Sequence, residues 1–385
     1  MKMTKILALA LALVLVAGLA ACGAPAATPA PVATSAPTAE PAATPAPVEP
    51  APKADIIAMI TDVGEIDDKS FNQGTWEGIV AYCDANNIEK FYLKPLEQSD
   101  NEYLNTIGQA IDKGATVVIT PGFLFEVAIY EAQKKYPDVK FMLIDGTPHD
   151  ADYVNFETAS NTVSVIYAEE QAGFLAGYAA VKDGATKLGF MGGMAVPAVM
   201  RYGYGFVQGA DYAADELGVS IDMNYHYTNS FAPSPEALNT AKSWFTTGTE
   251  VIFACGGGMG NSVMAAAEET GKKVIGVDVD QGAESPAVVN SSMKGLASSV
   301  ALVLDQYFDG NFPGGENMVV DASQGGVSLS TENNRFENFT NADYEALFGA
   351  MAAGEFDIVK DTNAAGDDVD PTDLPVVATT LKVVE

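Results

Sequence analysis

The sequence predicts an α/β protein built from two doubly wound halves. Three observations carry this reading. From Lys53 onward, short apolar runs of buried-strand type alternate with amphipathic helical stretches. A second series of runs repeats the plan of the first. Residues with unusual chemistry recur just after apolar runs, and an open parallel sheet offers ligands the carboxyl ends of its strands. The 385 residues, 48% of them hydrophobic, suffice for two such halves with appendages.

The chain opens on an appendage. Lys2 and Lys5 precede an apolar run, Ile6 to Ala21, too short and too Ala-rich to favour a permanent membrane span. Residues 1–21 therefore read as a secretory signal. Leu19-Ala20-Ala21-Cys22 resembles the lipobox of bacterial lipoproteins, which implies cleavage before Cys22 and lipid on its sulfur. Residues 22–53, largely Ala, Pro and Thr, cannot build a core and read as a tether.

The first series has strands at Ile56–Ile60, Lys90–Leu93, Thr116–Thr120 and Lys140–Ile144, and helices at Ser70–Asn86, Asn101–Lys113 and Phe125–Tyr136. Between the first strand and first helix lies Thr61–Gln73, which carries Asp62, further carboxylates, amides and Phe71. That ring is either a hydrophobic staple for its own helix or a stacking platform for a planar ligand. Asp145 follows the fourth strand as another edge carboxylate. Tyr153–Phe156 reads as a short strand and Val163–Val181 as one long helix. Gly173 and Gly177 in it suit close helix-on-sheet packing, because Glu169, Glu170 and Gln171 interrupt any membrane span.

The second series places strands at Leu188–Met191, Ile221–Tyr227, Val251–Ala254 and Val274–Val277, and helices at Val199–Leu217, Pro235–Thr246 and Ser262–Thr270. Ser234-Pro235 has N-cap and N1 chemistry, so Phe231 falls in the preceding loop, mirroring Phe71. Two such rings facing one another would suit a flat aromatic ligand, with packing as the alternative for Phe231. Gly256–Gly260 mimics a dinucleotide fingerprint, but position 261 is Asn where the last glycine is required and the loop follows a late strand. Its glycines instead let backbone N–H groups approach ligand oxygens at a helix N-terminus. Asp278, after the strand ending at Val277, could accept two hydroxyl hydrogen bonds or serve as a turn residue. Lys294 opens the helix Gly295–Phe308, where a cation opposes the macrodipole. Asp361–Asp373 reads as a solvated acidic loop and not a calcium site.

The charge is −31, and removing Lys2 and Lys5 takes it to −33, which argues against nucleic acid as a partner. Membrane association would rest on Cys22 and not on the acidic surface. Cys83 and Cys255 read as buried small hydrophobes, with no disulfide assumed. Only His149 and His226 exist, no Ser-centred nucleophile elbow is visible, and the cysteines lack metal spacing, so neither an enzyme such as a nucleoside hydrolase nor a bound cofactor or metal is expected.

Taken in order, Asp62 to Gln73 with its Asp-Lys-Ser-Phe-Asn-Gln run, Phe174–Tyr178, Gly192-Gly193, Gly205-Phe206 with Gly209, and Gly276-Val277-Asp278 with Asp280-Gln281 and Lys294 resemble the BMP family of bacterial substrate-binding lipoproteins. Its PnrA-type members are purine nucleoside receptors. The resemblance implies a type I periplasmic-binding-protein fold, two α/β lobes joined by three crossovers around a ligand cleft, here expected near Ser160, Ser291 and Ser323. The lobes would be 54–160 with 291–323, and 161–290 with 324–385. It implies a base between Phe71 and Phe231, with Asp62 at its edge. Asp278 and Lys294 would hold ribose, aided by backbone near Gly257 and by Asp145. Ala232-Pro233 departs from the family, which often has an Asp after the second Phe. The implied partners are a nucleoside and the permease and ATPase subunits of an ABC importer. The implied form is a monomer, lipid-anchored at the outer face of the cell membrane. A sugar or signalling ligand on the same fold is the alternative.

Overall fold

The computed structural model describes residues 54–384 apart from 63 and 364; the signal, Cys22 and the tether lie outside the described residues. Lys53–Glu385 forms one compact unit. In chain order the first part runs β1 (Ile56–Ile60), α1 (Phe71–Asn86), β2 (Glu89–Leu93), α2 (Asp100–Asp112), β3 (Val117–Pro121), α3 (Glu126–Lys135), β4 (Lys140–Ile144) and β5 (Thr162–Tyr167). It continues through α4 (Glu169–Lys182), β6 (Lys187–Gly192), α5 (Pro197–Leu217), β7 (Ile221–Tyr227), α6 (Pro235–Thr246), β8 (Val251–Cys255), α7 (Met259–Thr270), β9 (Lys273–Asp278) and β10 (Val288–Lys294). Last come α8 (Leu296–Phe308), β11 (Asn317–Val320), β12 (Val327–Leu329), α9 (Asn341–Ala352) and β13 (Thr379–Val383).

These strands form two sheets, ordered β11-β5-β4-β3-β1-β2 and β12-β10-β9-β8-β6-β7-β13. All pairings are parallel except β10 with β12. The central strands β3 and β8 are buried along their whole length, as sheets covered by helices on both faces require. Edge strand β2 instead exposes Glu89 and Tyr92. Ser234 caps α6 as expected, accepting from Ala237 N–H, with Pro235 at the first helical position. Cys83 and Cys255 are both free and buried.

Several expectations are corrected. The expected helix Val163–Val181 is a strand followed by a helix. Thr162, Val163, Val165 and Ile166 are β-branched and pair between β4 and β11, so the chain stays extended to Tyr167. That puts β5 in the first sheet and moves the first crossing from Ser160 to α4. Likewise β10 stays in the second sheet through Lys294, so the second crossing follows Lys294 and not Ser291. The third passage lies between Val320 and Val327. Tyr153–Phe156 is irregular chain with a single bridge, His149 to Phe156, and all four of its residues are exposed. Gly173 and Gly177 pack against a helix and not a sheet. A Cβ at Gly173, Gly177, Gly205 or Gly209 would fall 2.0–2.1 Å from a carbonyl oxygen of the other helix, so α4 and α5 touch backbone to backbone.

Candidate ligand-binding cleft

Because the strands of each sheet run parallel, their carboxyl ends gather at one edge, and the two edges share a cavity of about 500 Å³. Asp62 follows β1 and Asp145 follows β4 in the first sheet. Asp278 ends β9, Lys294 ends β10 and Gly257 follows β8 in the second. Those five residues, Phe71 and Phe231 all line this one cavity. The two rings come from opposite lobes, each half-buried.

The loop after β1 organises itself around its own acids. Asp68 accepts from the N–H groups of Ser70 (2.8 Å), Asn72 (3.0 Å) and Gln73 (3.1 Å), satisfying the start of α1. Asp62 Oδ1 accepts from Gly64 N–H (2.6 Å) and Asn72 Nδ2 (2.9 Å). Burial pushes the Asp62 carboxyl up to about 6 against those donors. No group of acids, histidines and cysteines with metal-holding geometry occurs among the described residues.

On the other lobe, Phe231 is seated by glycines. Its carbonyl accepts from Met259 N–H at 2.9 Å. A Cβ on Gly193 would fall 2.5 Å from the Phe231 ring, which explains why the Gly192-Gly193 pair stands there. Gly257 has φ +54, a conformation that favours glycine, and lies beside Phe231 and Asp68.

At the centre is Lys294, buried against three carboxylates. Its Nζ bonds Asp145 and lies 3.2 Å from Glu169 Oε1 and 3.9 Å from Asp278 Oδ1. Three rings also face it, Phe71 at 4.9 Å, Tyr202 at 5.3 Å and Tyr167 at 5.5 Å to their centroids. Burial raises both Asp145 and Asp278 above the usual carboxylate range, with Lys294 opposing it at each. Burial acts on Lys294 in the opposite sense, but its three carboxylates prevail and hold it protonated. Asp145 and Asp278 sit at φ +59 and +66, strained for aspartate and concentrated at this site. Asp145 Oδ1 is buried with no hydrogen-bond partner. Ser70 Oγ donates to Asp278 Oδ2 at 2.5 Å and Gln281 Nε2 to the Lys69 carbonyl at 2.8 Å, joining the lobes beside the cavity.

Glu169 and Arg201 were not singled out from the sequence. Glu169 is fully buried and shared between Lys294 and Arg201 Nε, the latter at 2.6 Å. Burial raises its carboxyl, but the two cations outweigh that and hold it below the ordinary range. The usable signal was the β-branched run 162–167: read as a strand, it puts Glu169 just past a carboxyl end, like Asp62 and Asp145. Asp361, expected in solvent, is buried with Oδ2 3.4 Å from Arg201 Nη1, because the tail packs back onto α4 and α5.

Two mainly parallel sheets meeting over one cleft, with the chain passing between them three times, make the two-lobed fold of periplasmic-binding-protein type. A solute-binding protein of an ABC transporter system from Aeropyrum pernix K1 has this fold, with TM-score 0.70 and 20% identity over 81% of this chain and 95% of that one. An ABC transporter nucleoside-binding protein, BmpA, of Lactococcus lactis is 30% identical over 297 residues, 72% of this chain and 81% of its own. A CD4+ T-cell-stimulating antigen of Listeria monocytogenes is 30% identical over 297 residues, 71% of this chain and 79% of its own. Residues 56–348 match the family described as Bmp, ABC transporter substrate-binding protein PnrA-like, and the chain belongs to that family. Its members are substrate-binding proteins and not enzymes.

Proposed function

We propose that this protein is a lipid-anchored receptor outside the cytoplasmic membrane that captures a nucleoside, purine in preference, and delivers it unchanged to an ABC importer. The observation that carries the reading is one cavity holding Phe71 and Phe231 from opposite lobes beside the Lys294 cluster. A base between the rings would gain about 1–3 kcal/mol per stacking partner. Ribose hydroxyls would complete Asp278, Lys294 and the unpartnered Asp145 Oδ1. A free base leaves those buried groups unpaired, and a phosphate meets carboxylates. The relative named for nucleoside binding supports the same ligand class.

Calorimetric titration of the compact unit from Lys53 onward against purine and pyrimidine nucleosides, adenine, ribose and inosine monophosphate tests this. Binding of nucleosides, with base, ribose and monophosphate far weaker, and selective weakening in Phe71→Ala, is expected. Silence toward nucleosides from folded protein freed of co-purified ligand would move the assignment to a sugar or signalling ligand.

A further inference from the structure

The central cation of the cleft is held from behind by a chain of buried charges that ends far along the sequence. Glu169, first residue of α4, accepts a hydrogen bond from Arg201 of α5 at Oε2, while its Oε1 lies 3.2 Å from Lys294 Nζ as a charge contact with no hydrogen bond. Arg201 in turn meets Asp361. None of Glu169, Arg201 and Asp361 lines the cavity. Asp361 belongs to the segment after α9, and residues beside it anchor that segment firmly. Lys360 pairs with Glu170 at 3.0 Å. Gln208 Nε2 donates to the Val359 carbonyl at 2.9 Å and Gln208 Oε1 accepts from Val359 N–H at 2.9 Å. Tyr204 OH donates to the Val369 carbonyl at 2.6 Å. The family match ends at residue 348, so this segment lies outside it.

Lys294 has three carboxylates to choose among, and its exact position decides which of them a ligand finds free. Glu169 can hold its share of the ammonium only while its second oxygen is occupied, because an unpaired oxygen there is a buried, uncompensated charge. Arg201 occupies it with a guanidinium whose fork fixes two directions at once. With Asp361 on the other arm of the fork, the guanidinium cannot turn wholly onto Glu169 and draw it away from Lys294.

We propose that Glu169, Arg201 and Asp361 are positioning residues for the Lys294 ammonium, so that the C-terminal segment sets the affinity of a cleft it does not touch. This rests on the cleft being the ligand site. The test uses the protein from Lys53 onward with 15N-labelled lysine, reading the Lys294 Nζ resonance without ligand and inosine affinity by calorimetry. Asp361→Asn, which keeps an acceptor oxygen and removes the charge facing Arg201, is expected to move that resonance and to weaken inosine about ten-fold, the scale of charge assistance lost from one hydrogen bond. Asp361→Glu should restore both, and Lys360→Ala, which loosens the same segment outside the charge chain, should change neither. Should Asp361→Asn not fold, Arg201→Lys, which keeps the charge and loses the fork, is expected to give the same pair of changes. An unmoved resonance in the folded variant, or an equal loss in Lys360→Ala, overturns the proposal. A moved resonance in a protein that binds no nucleoside would uphold the charge chain and overturn the ligand reading instead.

Discussion

Asp62 shows how one buried side chain trades stability for a site. Its carboxyl is buried at the cavity wall and its ordinary value of 3.8 is raised to about 6. Below the unfolded value both states hold the proton and nothing is lost. Between about 4 and 6 the unfolded chain ionises while the fold retains its proton, so stability falls as pH rises, and it stays lower above that window. Asp62→Asn keeps an oxygen to accept from Gly64 and Asn72 and removes the charge. It is expected to leave stability at pH 4 unchanged and to add about 2–3 kcal/mol at pH 7.5, from a shift of roughly two pKa units. Urea unfolding of ligand-free protein at both pH values measures this, and equal stability of variant and parent at pH 7.5 would show that the buried charge is borne without cost. At this scale the sequence was informative wherever an acid followed an obvious apolar run, as at Asp62, Asp145 and Asp278. It was uninformative at Arg201, although that is one of only two arginines in the chain, because its partners come from positions 169 and 361.

Among the elements, the α4/α5 crossing is the least tolerant. Gly205→Ala would place Cβ 2.0 Å from the Glu170 carbonyl oxygen, with no flexible side chain to yield. The helices must part, which is expected to cost about 1–3 kcal/mol or more. Gly349→Ala on the exposed face of α9 meets nothing within 4 Å and should stabilise by about 0.5–1 kcal/mol. Thermal melts of the two variants give opposite shifts; a Gly205→Ala protein melting with its parent would mean that the helix pair is looser than drawn. The misreading of residues 163–181 has a plain origin here. Both β5 and α4 are buried nearly throughout, so neither displays the one-sided pattern that separates a strand from a helix. Only β-branching in the first half and small residues in the second distinguish them.

For the whole molecule, the two-lobe plan was legible because each lobe is a run of short local units, strand then helix. What escaped were pairings between distant segments. Nothing near Thr379–Val383 signals that it will lie parallel to β7, some 160 residues earlier by subtraction of positions, and nothing near Asp361 signals Arg201. That last strand has a practical corollary. A shortened protein that stops at residue 348, where the family match ends, would strip β13 from the second sheet and leave the outer backbone groups of Ile221–Tyr225 without partners. An uncovered sheet border of that kind recruits strands from other chains. Such a truncated protein is expected to self-associate in sizing experiments, a failure separate from any weakening of the cleft that losing Asp361 would bring.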